Sequence, residues 1–163
     1  MKKMIFHSVV ALFGLVLVAL SAPMANAAAL SDYTENALLG HVFKGTAYTG
    51  PATTYVGLST TACSDSSFGT EVSGGAYARV AVASNGTNWT GPTAGNGTVA
   101  NGTAVTFPAP TGNWGAVTHW FIADASTSGN LLICAPLATG KTINSGDAAP
   151  SFGAGALTVQ IDN

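Results

Sequence analysis

Charged side chains are scarce in this chain of 163 residues: they make up 7% of it, against about 25% in an ordinary globular protein. Two of the five Lys and Arg residues lie at the extreme N-terminus, which leaves Lys44, Arg79 and Lys141 for the rest of the chain. Three separated cations do not form the basic patch that binds phosphates, so the sequence predicts no nucleic-acid partner. The hydrophobic share of 47% excludes a disordered acidic chain.

Motifs that would carry catalysis or hold a cofactor are also missing. The sequence contains no CxxC, HxH or HExxH pattern for a metal and no GxSxG turn for a nucleophile. Residues 135–142 resemble a phosphate-binding loop with Ala in its first glycine position, but the Gly and Pro residues that follow exclude the helix that such a loop needs. His41 falls in a predicted helix and His119 in a predicted strand, with no paired Ser or Asp suggested by spacing. We therefore expect no enzymatic activity, no metal and no cofactor.

One long apolar run is present, at residues 4–20, directly behind two lysines. Ala25-Asn26-Ala27 follows it with the small-x-small pattern that signal peptidases accept. The sequence therefore predicts a secretory signal peptide over residues 1–27, cleaved after Ala27; an uncleaved membrane anchor is the alternative, because the run is marginally long enough to span. No second such run follows, so residues 28–163 are expected to form a single β-rich domain that is secreted and makes no membrane contact.

Two cysteines, Cys63 and Cys134, lie in the predicted mature chain. Export to an oxidising compartment favours one disulfide between them. Two buried thiols that act as small hydrophobic side chains are the alternative. The separation of the two Cα atoms decides between these possibilities, and the sequence does not contain it.

A helix is predicted to begin at Ser31 or Asp32, since either side chain can cap it and Glu35 follows as in a capping box. Gly45 ends it. Apolar residues recur at roughly helical spacing and would form one face for docking on the chain's own sheet or on a neighbour: Tyr33, Ala37, Leu38 and Val42.

The remainder of the chain alternates short β-prone runs with turns rich in Gly, Asn and Thr. Strands are predicted at residues 53–58, 76–82, 104–107, 116–123, 131–134, 141–143 and 156–161. Residues 116–123 form the longest apolar strand and are expected at the centre of the sheet. Gly74 and Gly75, before the second strand, are expected to have a structural role. The fold class is therefore all-β, a β-sandwich of jelly-roll or immunoglobulin-like type with one short N-terminal helix.

Aromatic side chains could bind a sugar by stacking on its ring. Trp89 lies in a polar stretch and Trp114 lies between glycines, so these two are the candidate surface-binding aromatics. Trp120 and Tyr55 fall in strands and are expected in the core, which large aromatics commonly fill. A secreted glycan-binding module, with a cell-surface glycan as partner, is therefore the alternative function.

Segments along nearly the whole predicted mature chain resemble, in order, a family of small phage virion proteins commonly labelled tail fibre or minor structural proteins. They are residues 30–39, 45–49, 54–58, 69–79, 107–108, 114–119, 129–132, 141–143, 146–147 and 155–159. The resemblance implies a β-rich structural subunit without catalytic residues, whose partners are copies of itself or other virion subunits. Together with the export signal, it also suits a prophage-derived module used in an extracellular filament.

Overall fold

The computed structural model describes residues 29–92 and 97–161. The predicted signal peptide and its cleavage site lie outside these residues. Within them, no helix is long and apolar enough to cross a membrane.

Apart from one α-helix, the regular secondary structure of the described chain consists of β-strands, so the all-β prediction is confirmed. The helix, α1, spans Asp32–Lys44. The strands are β1 Ala29–Leu30, β2 Thr53–Ser59, β3 Val80–Ala83, β4 Trp89–Thr90, β5 Thr98–Asn101, β6 Val105–Thr106, β7 Gly115–Ala123, β8 Leu131–Ile143, β9 Ser151–Phe152 and β10 Thr158–Gln160.

The largest sheet has five strands in the order β1-β8-β7-β2-β3, and every neighbouring pair is antiparallel. The predicted central strand is confirmed, because β7 lies in the middle of this order. Its last four residues are buried: Trp120 and Ile122 lie in one hydrophobic cluster, and Phe121 and Ala123 lie in another. Alternate residues of a strand point to opposite faces, so β7 is covered on both sides at this end.

Two smaller sheets complete the β structure. One has three strands in the order β10-β5-β4, and the other pairs β6 with β9. Val105, Leu157 and Val159 from these regions belong to the same core cluster as Val56 and Ile122 of the large sheet. The main core therefore lies where one face of the five-stranded sheet meets the smaller sheets, while the jelly-roll or immunoglobulin-like type stays a prediction.

The opposite face of the large sheet carries a smaller cluster around Phe121. Gly57 of β2 pairs with Phe121 of β7, and a Cβ atom on Gly57 would come within 2.1 Å of the Phe121 ring. Glycine is therefore required there so that the ring can lie flat against the neighbouring strand. Phe68, from the loop after β2, packs edge-on against Phe121 with ring centroids 4.9 Å apart.

Helix α1 has the predicted ends. The Oγ atom of Ser31 accepts a hydrogen bond from the backbone N–H of Thr34, and Gly45 adopts a left-handed φ of 65° at the C-terminus. Of the two docking partners left open for the helix, the chain's own sheet or a neighbour, the own sheet buries none of its side chains. The chain holds the helix by its first turn instead: Ser31 also donates to the carbonyl of Leu131, and Thr34 donates to the carbonyl of Leu132.

Three strand predictions need correction. The second predicted strand, at 76–82, begins only at Val80, because Gly74, Gly75 and Ala76 have positive φ angles that extended backbone does not allow. The strands predicted at 131–134 and 141–143 are one strand, β8, with a register shift opposite Thr118. No strand is predicted between residues 82 and 104, whereas the structure places β4 and β5 in this polar stretch.

Candidate interaction surface

Trp114 lies in the core, 5% exposed, and not at a rim. Its Nε1 atom donates a hydrogen bond of 2.8 Å to the carbonyl of Gly75. Its ring meets the ring of Tyr77 edge-on at 5.3 Å and the ring of Phe107 at 6.4 Å. This position provides no exposed face for a sugar, so the structure does not support Trp114 as a surface-binding side chain.

Trp89 is half-buried in β4 and packs against the main core cluster. Its Nε1 atom is buried and has no hydrogen-bond partner among the described residues. The glycan-binding alternative therefore rests on Trp89 alone.

The two cysteines come together in the structure. Cys63 lies in the loop after β2 and Cys134 lies in β8, and their Cα atoms are 6.3 Å apart. Disulfides bridge Cα separations of about 4.4–6.8 Å, so the geometry suits a bond between them. Both side chains are half-buried, so neither matches the alternative of a fully buried thiol.

Arg79, one of the three separated cations of the sequence, has a buried side chain. Its side chain is 3% exposed and lies between the rings of Phe68 and Phe121, with the guanidinium carbon 4.8 and 5.0 Å from the two ring centroids. Nη1 donates to the carbonyls of Ala125 and Ser128, and the other nitrogens donate to Glu71. With all of these hydrogen bonds formed, Arg79 joins the loop between β2 and β3 to the loop between β7 and β8 and is not available to a ligand.

Tyr77 belongs to the same polar group. Its hydroxyl accepts a hydrogen bond from the backbone N–H of Leu58 and donates one to Oε1 of Glu71. Burial raises the pKa of Tyr77 well above its usual value, and the neighbouring Glu71 carboxylate adds to this rise. The neutral phenol therefore persists to high pH and has a structural role.

Other titratable side chains contact groups only a few residues away in the chain. Nδ1 of His119 lies 2.9 Å from the hydroxyl of its neighbour Thr118, and the Asp124 carboxylate accepts two hydrogen bonds from Asn130. His41, at the far end of the helix, lies 3.3 Å from the carbonyl of Thr46. In the ranges that the structure describes, no three His, Cys, Asp or Glu side chains are grouped to hold a metal.

One apolar cavity of about 160 Å³ lies between β8 and the β6–β9 pair. Residues that contribute to its wall include Leu58, Phe107, Leu137, Lys141 and Phe152. Small-molecule sites usually measure about 300–1,000 Å³, so this space is small for a ligand. Several of its wall residues already belong to the core.

The outer face of helix α1 is the most apolar exposed surface of the described chain. We define this outer helix face as Leu38, Leu39, Val42 and Phe43, which are 40%, 54%, 61% and 79% exposed. A contiguous apolar patch on a soluble surface is typical of an interaction site. The sequence predicts an apolar helical face that includes Leu38 and Val42. It does not predict whether that face points towards the domain or towards solvent.

These features define a class of protein: an all-β domain whose buried charge is paired and whose single helix carries an exposed apolar face. The comparison with family models agrees with this class. The model for the podophage GP4 fiber I protein gp80 matches residues 29–160, which contain all the strands and the helix described above. The chain belongs to this family of phage fibre proteins, and this membership supports a role as a structural component of the virion. A search of curated proteins gave no match.

Proposed function

We propose that residues 28–163 form a non-enzymatic structural subunit of a phage fibre, which assembles with copies of itself or with other virion subunits. The observation that carries this proposal is the family match over residues 29–160. It covers the β-rich part of the chain from the first described strand to the last, so the folded unit and the family unit coincide.

The hydrogen bonding of the buried polar side chains supports a structural role. Arg79, the most buried cation described here, is paired with Glu71 and two backbone carbonyls. The buried side chain of Asn101 is also satisfied, because it donates to the carbonyls of Thr103 and Gly153 and accepts from the N–H of Leu157. Groups of this kind stabilise a fixed shape and offer no free donor or acceptor to a substrate.

The edge of the large sheet supports packing between subunits. Strand β3 is the last strand on one side, and its exposed side chains are Ala81 and Ala83. Natural edge strands usually carry a charge, a proline or a bulge that blocks pairing with another chain. β3 has no charged side chain and no proline, and contact with another subunit would cover it.

Export is the second part of the proposal. The apolar run and Ala25-Asn26-Ala27 would direct the chain out of the cytoplasm and leave Ala28 as the mature N-terminus. The assembled form would then be a fibre of the virion or an extracellular filament derived from one. N-terminal sequencing of exported protein is expected to begin at Ala28, and retention of residues 1–27 on that protein would refute export with cleavage.

The experiment that tests the structural role is quantitative mass spectrometry of purified particles and of the culture medium, with electron microscopy of both. We expect the chain on virions or in filaments, in a fixed ratio to other subunits. A screen of glycosidase, esterase and protease substrates is expected to show no turnover. Protein found only as free monomer would refute the assembly role, and turnover lost in His119→Ala or Asp124→Asn would establish an enzyme instead.

A further inference from the structure

The cavity between β8 and the β6–β9 pair has an apolar interior. Leu58, Val117 and Ile143 line it from the large sheet, and all three are buried members of the main core cluster. Phe107 and Phe152 line it from the side of the β6–β9 pair, with their ring centroids 6.2 Å apart. The interior therefore suits an apolar group and gives a polar one no favourable surroundings.

A lysine lies on the core face of the sheet at this cavity. Lys141 of β8 is the register partner of Val117 of β7, and partners in an antiparallel pair lie on the same face. It also precedes the buried Ile143 by two residues, so these two side chains share a face of β8. The stretch that resembles a phosphate-binding loop in sequence is thus part of an extended strand, and its lysine lines an apolar cavity.

The polar side chains of the cavity wall lie at its mouth. Thr139, Lys141 and Ser151 line the cavity and are exposed. Within residues 29–92 and 97–161, the side chains of these three form no hydrogen bond, and Lys141 forms no ion pair. The wall residues that the structure describes include no Asp or Glu. An anion at the mouth would therefore meet a cation with no competing carboxylate in the wall, beside two hydroxyl donors.

The volume limits the size of the apolar group. The usual range for ligand sites refers to drug-sized molecules, and the 160 Å³ available here is less than that. An engineered apolar cavity of about 150 Å³ in another protein binds benzene. One six-membered ring, or a branched aliphatic group of the same bulk, therefore fits this cavity.

We propose that this cavity binds a small carboxylic acid with a compact apolar body. The ring or branched chain lies between Val117 and Phe152, and the carboxylate lies at the mouth, where it accepts hydrogen bonds from Lys141 and from the hydroxyls of Thr139 and Ser151. This site goes beyond the proposed structural role and does not depend on it, since it needs only the folded domain.

The test uses benzoate as the probe and the protein purified after expression of the full chain. Benzoate is titrated while the methyl signals of Leu58, Val117 and Ile143 are followed by NMR. We expect these signals to shift and saturate, with a dissociation constant in the millimolar range. Benzyl alcohol has the ring without the charge and acetate has the charge without the ring, so each is expected to bind about tenfold more weakly or less.

A matched pair of variants tests the role of the lysine. Lys141→Gln removes the charge at the mouth, and we expect it to weaken benzoate binding about tenfold and to leave benzyl alcohol binding unchanged. Lys44→Gln makes the same change at the end of helix α1 and is the control, expected to bind benzoate like wild type. Both lysines are exposed, so both variants should keep the melting temperature of wild type.

Three outcomes would overturn the proposal. They are the absence of saturable shifts at the three methyl-bearing residues, equal affinity for benzyl alcohol and benzoate, and equal affinity of Lys141→Gln and wild type for benzoate. The structural role is measured separately, from the presence of the chain on particles. Benzoate binding by a chain that is on no particle or filament would leave the site standing and refute the structural role, and the reverse result would refute the site alone.

Discussion

The guanidinium of Arg79 donates two parallel hydrogen bonds, each 2.8 Å long, to the two carboxylate oxygens of Glu71. The pair is 3% exposed on the arginine side and 29% exposed on the glutamate side, so it lies at the margin of the interior. Bidentate pairs of this kind fix the relative position of the groups that carry them. Here the pair connects the end of the loop between β2 and β3 with an earlier position in the same loop.

Loss of the Glu71 charge should destabilise the fold. Glu71→Gln leaves Arg79 buried without a countercharge. We expect the free energy of unfolding to fall by about 3 kcal/mol. This is the lower end of the cost of breaking a buried ion pair, because Glu71 is partly exposed. Denaturant unfolding measures this. Asp65→Asn removes an exposed carboxylate and is the control, expected to change little. Equal stability of the two variants would show that the pair contributes nothing.

The adjacent glycines Gly74 and Gly75 should respond differently to alanine. Both have positive φ, of 73° and 54°, which costs an alanine about 1–2 kcal/mol. A Cβ on Gly74 would meet nothing within 4 Å, whereas a Cβ on Gly75 would lie 2.8–2.9 Å from backbone atoms of Gly112. We therefore expect Gly75→Ala to lower the free energy of unfolding by about 2 kcal/mol more than Gly74→Ala. Indistinguishable unfolding curves would contradict this close approach.

Stability should decrease at alkaline pH because of Tyr77. Its pKa is raised in the folded state, so above about pH 10 the unfolded chain loses this proton while the folded chain keeps it. The stabilisation is therefore complete below pH 10 and is lost as the pH rises further. Unfolding free energies measured from pH 8 upwards should fall less steeply in Tyr77→Phe than in wild type. Tyr33→Phe, at an exposed position, should keep the wild-type slope; if it removed as much of the slope as Tyr77→Phe, the assignment would be wrong.

The cysteines are expected to be bonded in exported protein. Their Cα separation of 6.3 Å permits a bridge, and the sequence separation of 71 residues means that the bridge would close a long loop in the unfolded chain. In the chain-entropy description this stabilises by roughly 4 kcal/mol, and Cys63→Ser/Cys134→Ser should lose about that amount. Intact mass after alkylation under non-reducing conditions tests the bond directly. Two alkylated thiols in native exported protein would refute it.

Local features of the fold could be predicted because their causes lie within a few residues. Ser31 caps the helix from the position immediately before it, and Gly45 ends the helix through its own φ angle. The centre of the sheet was also predictable, because the apolar run at 116–123 is buried on both faces only in an interior strand. The strand predicted at 76–82 begins later, at Val80, and Ala76 at its predicted start adopts a positive φ that its residue type does not suggest.

The candidate site was less predictable, because it depends on which segments meet. Trp114 lies among glycines, which is typical of a residue at a rim. In the fold, however, its Nε1–H donates to the carbonyl of Gly75, 39 residues earlier in the chain. Arg79 is equally compatible with a solvated strand face, and only the packing of Phe68 and Phe121 makes it a buried cation.

The amino-acid sequence by itself determined the all-β class, the ends of the helix, the scarcity of charge and the likeness to phage structural proteins, since each follows from composition or from contacts between near neighbours. The tertiary structure alone decided that Cys63 and Cys134 lie together and that Glu71 neutralises Arg79. It also decided the direction of the outer helix face. Helical periodicity shows that apolar residues share one side, but the first-turn hydrogen bonds to β8 set which side faces the domain and which faces water.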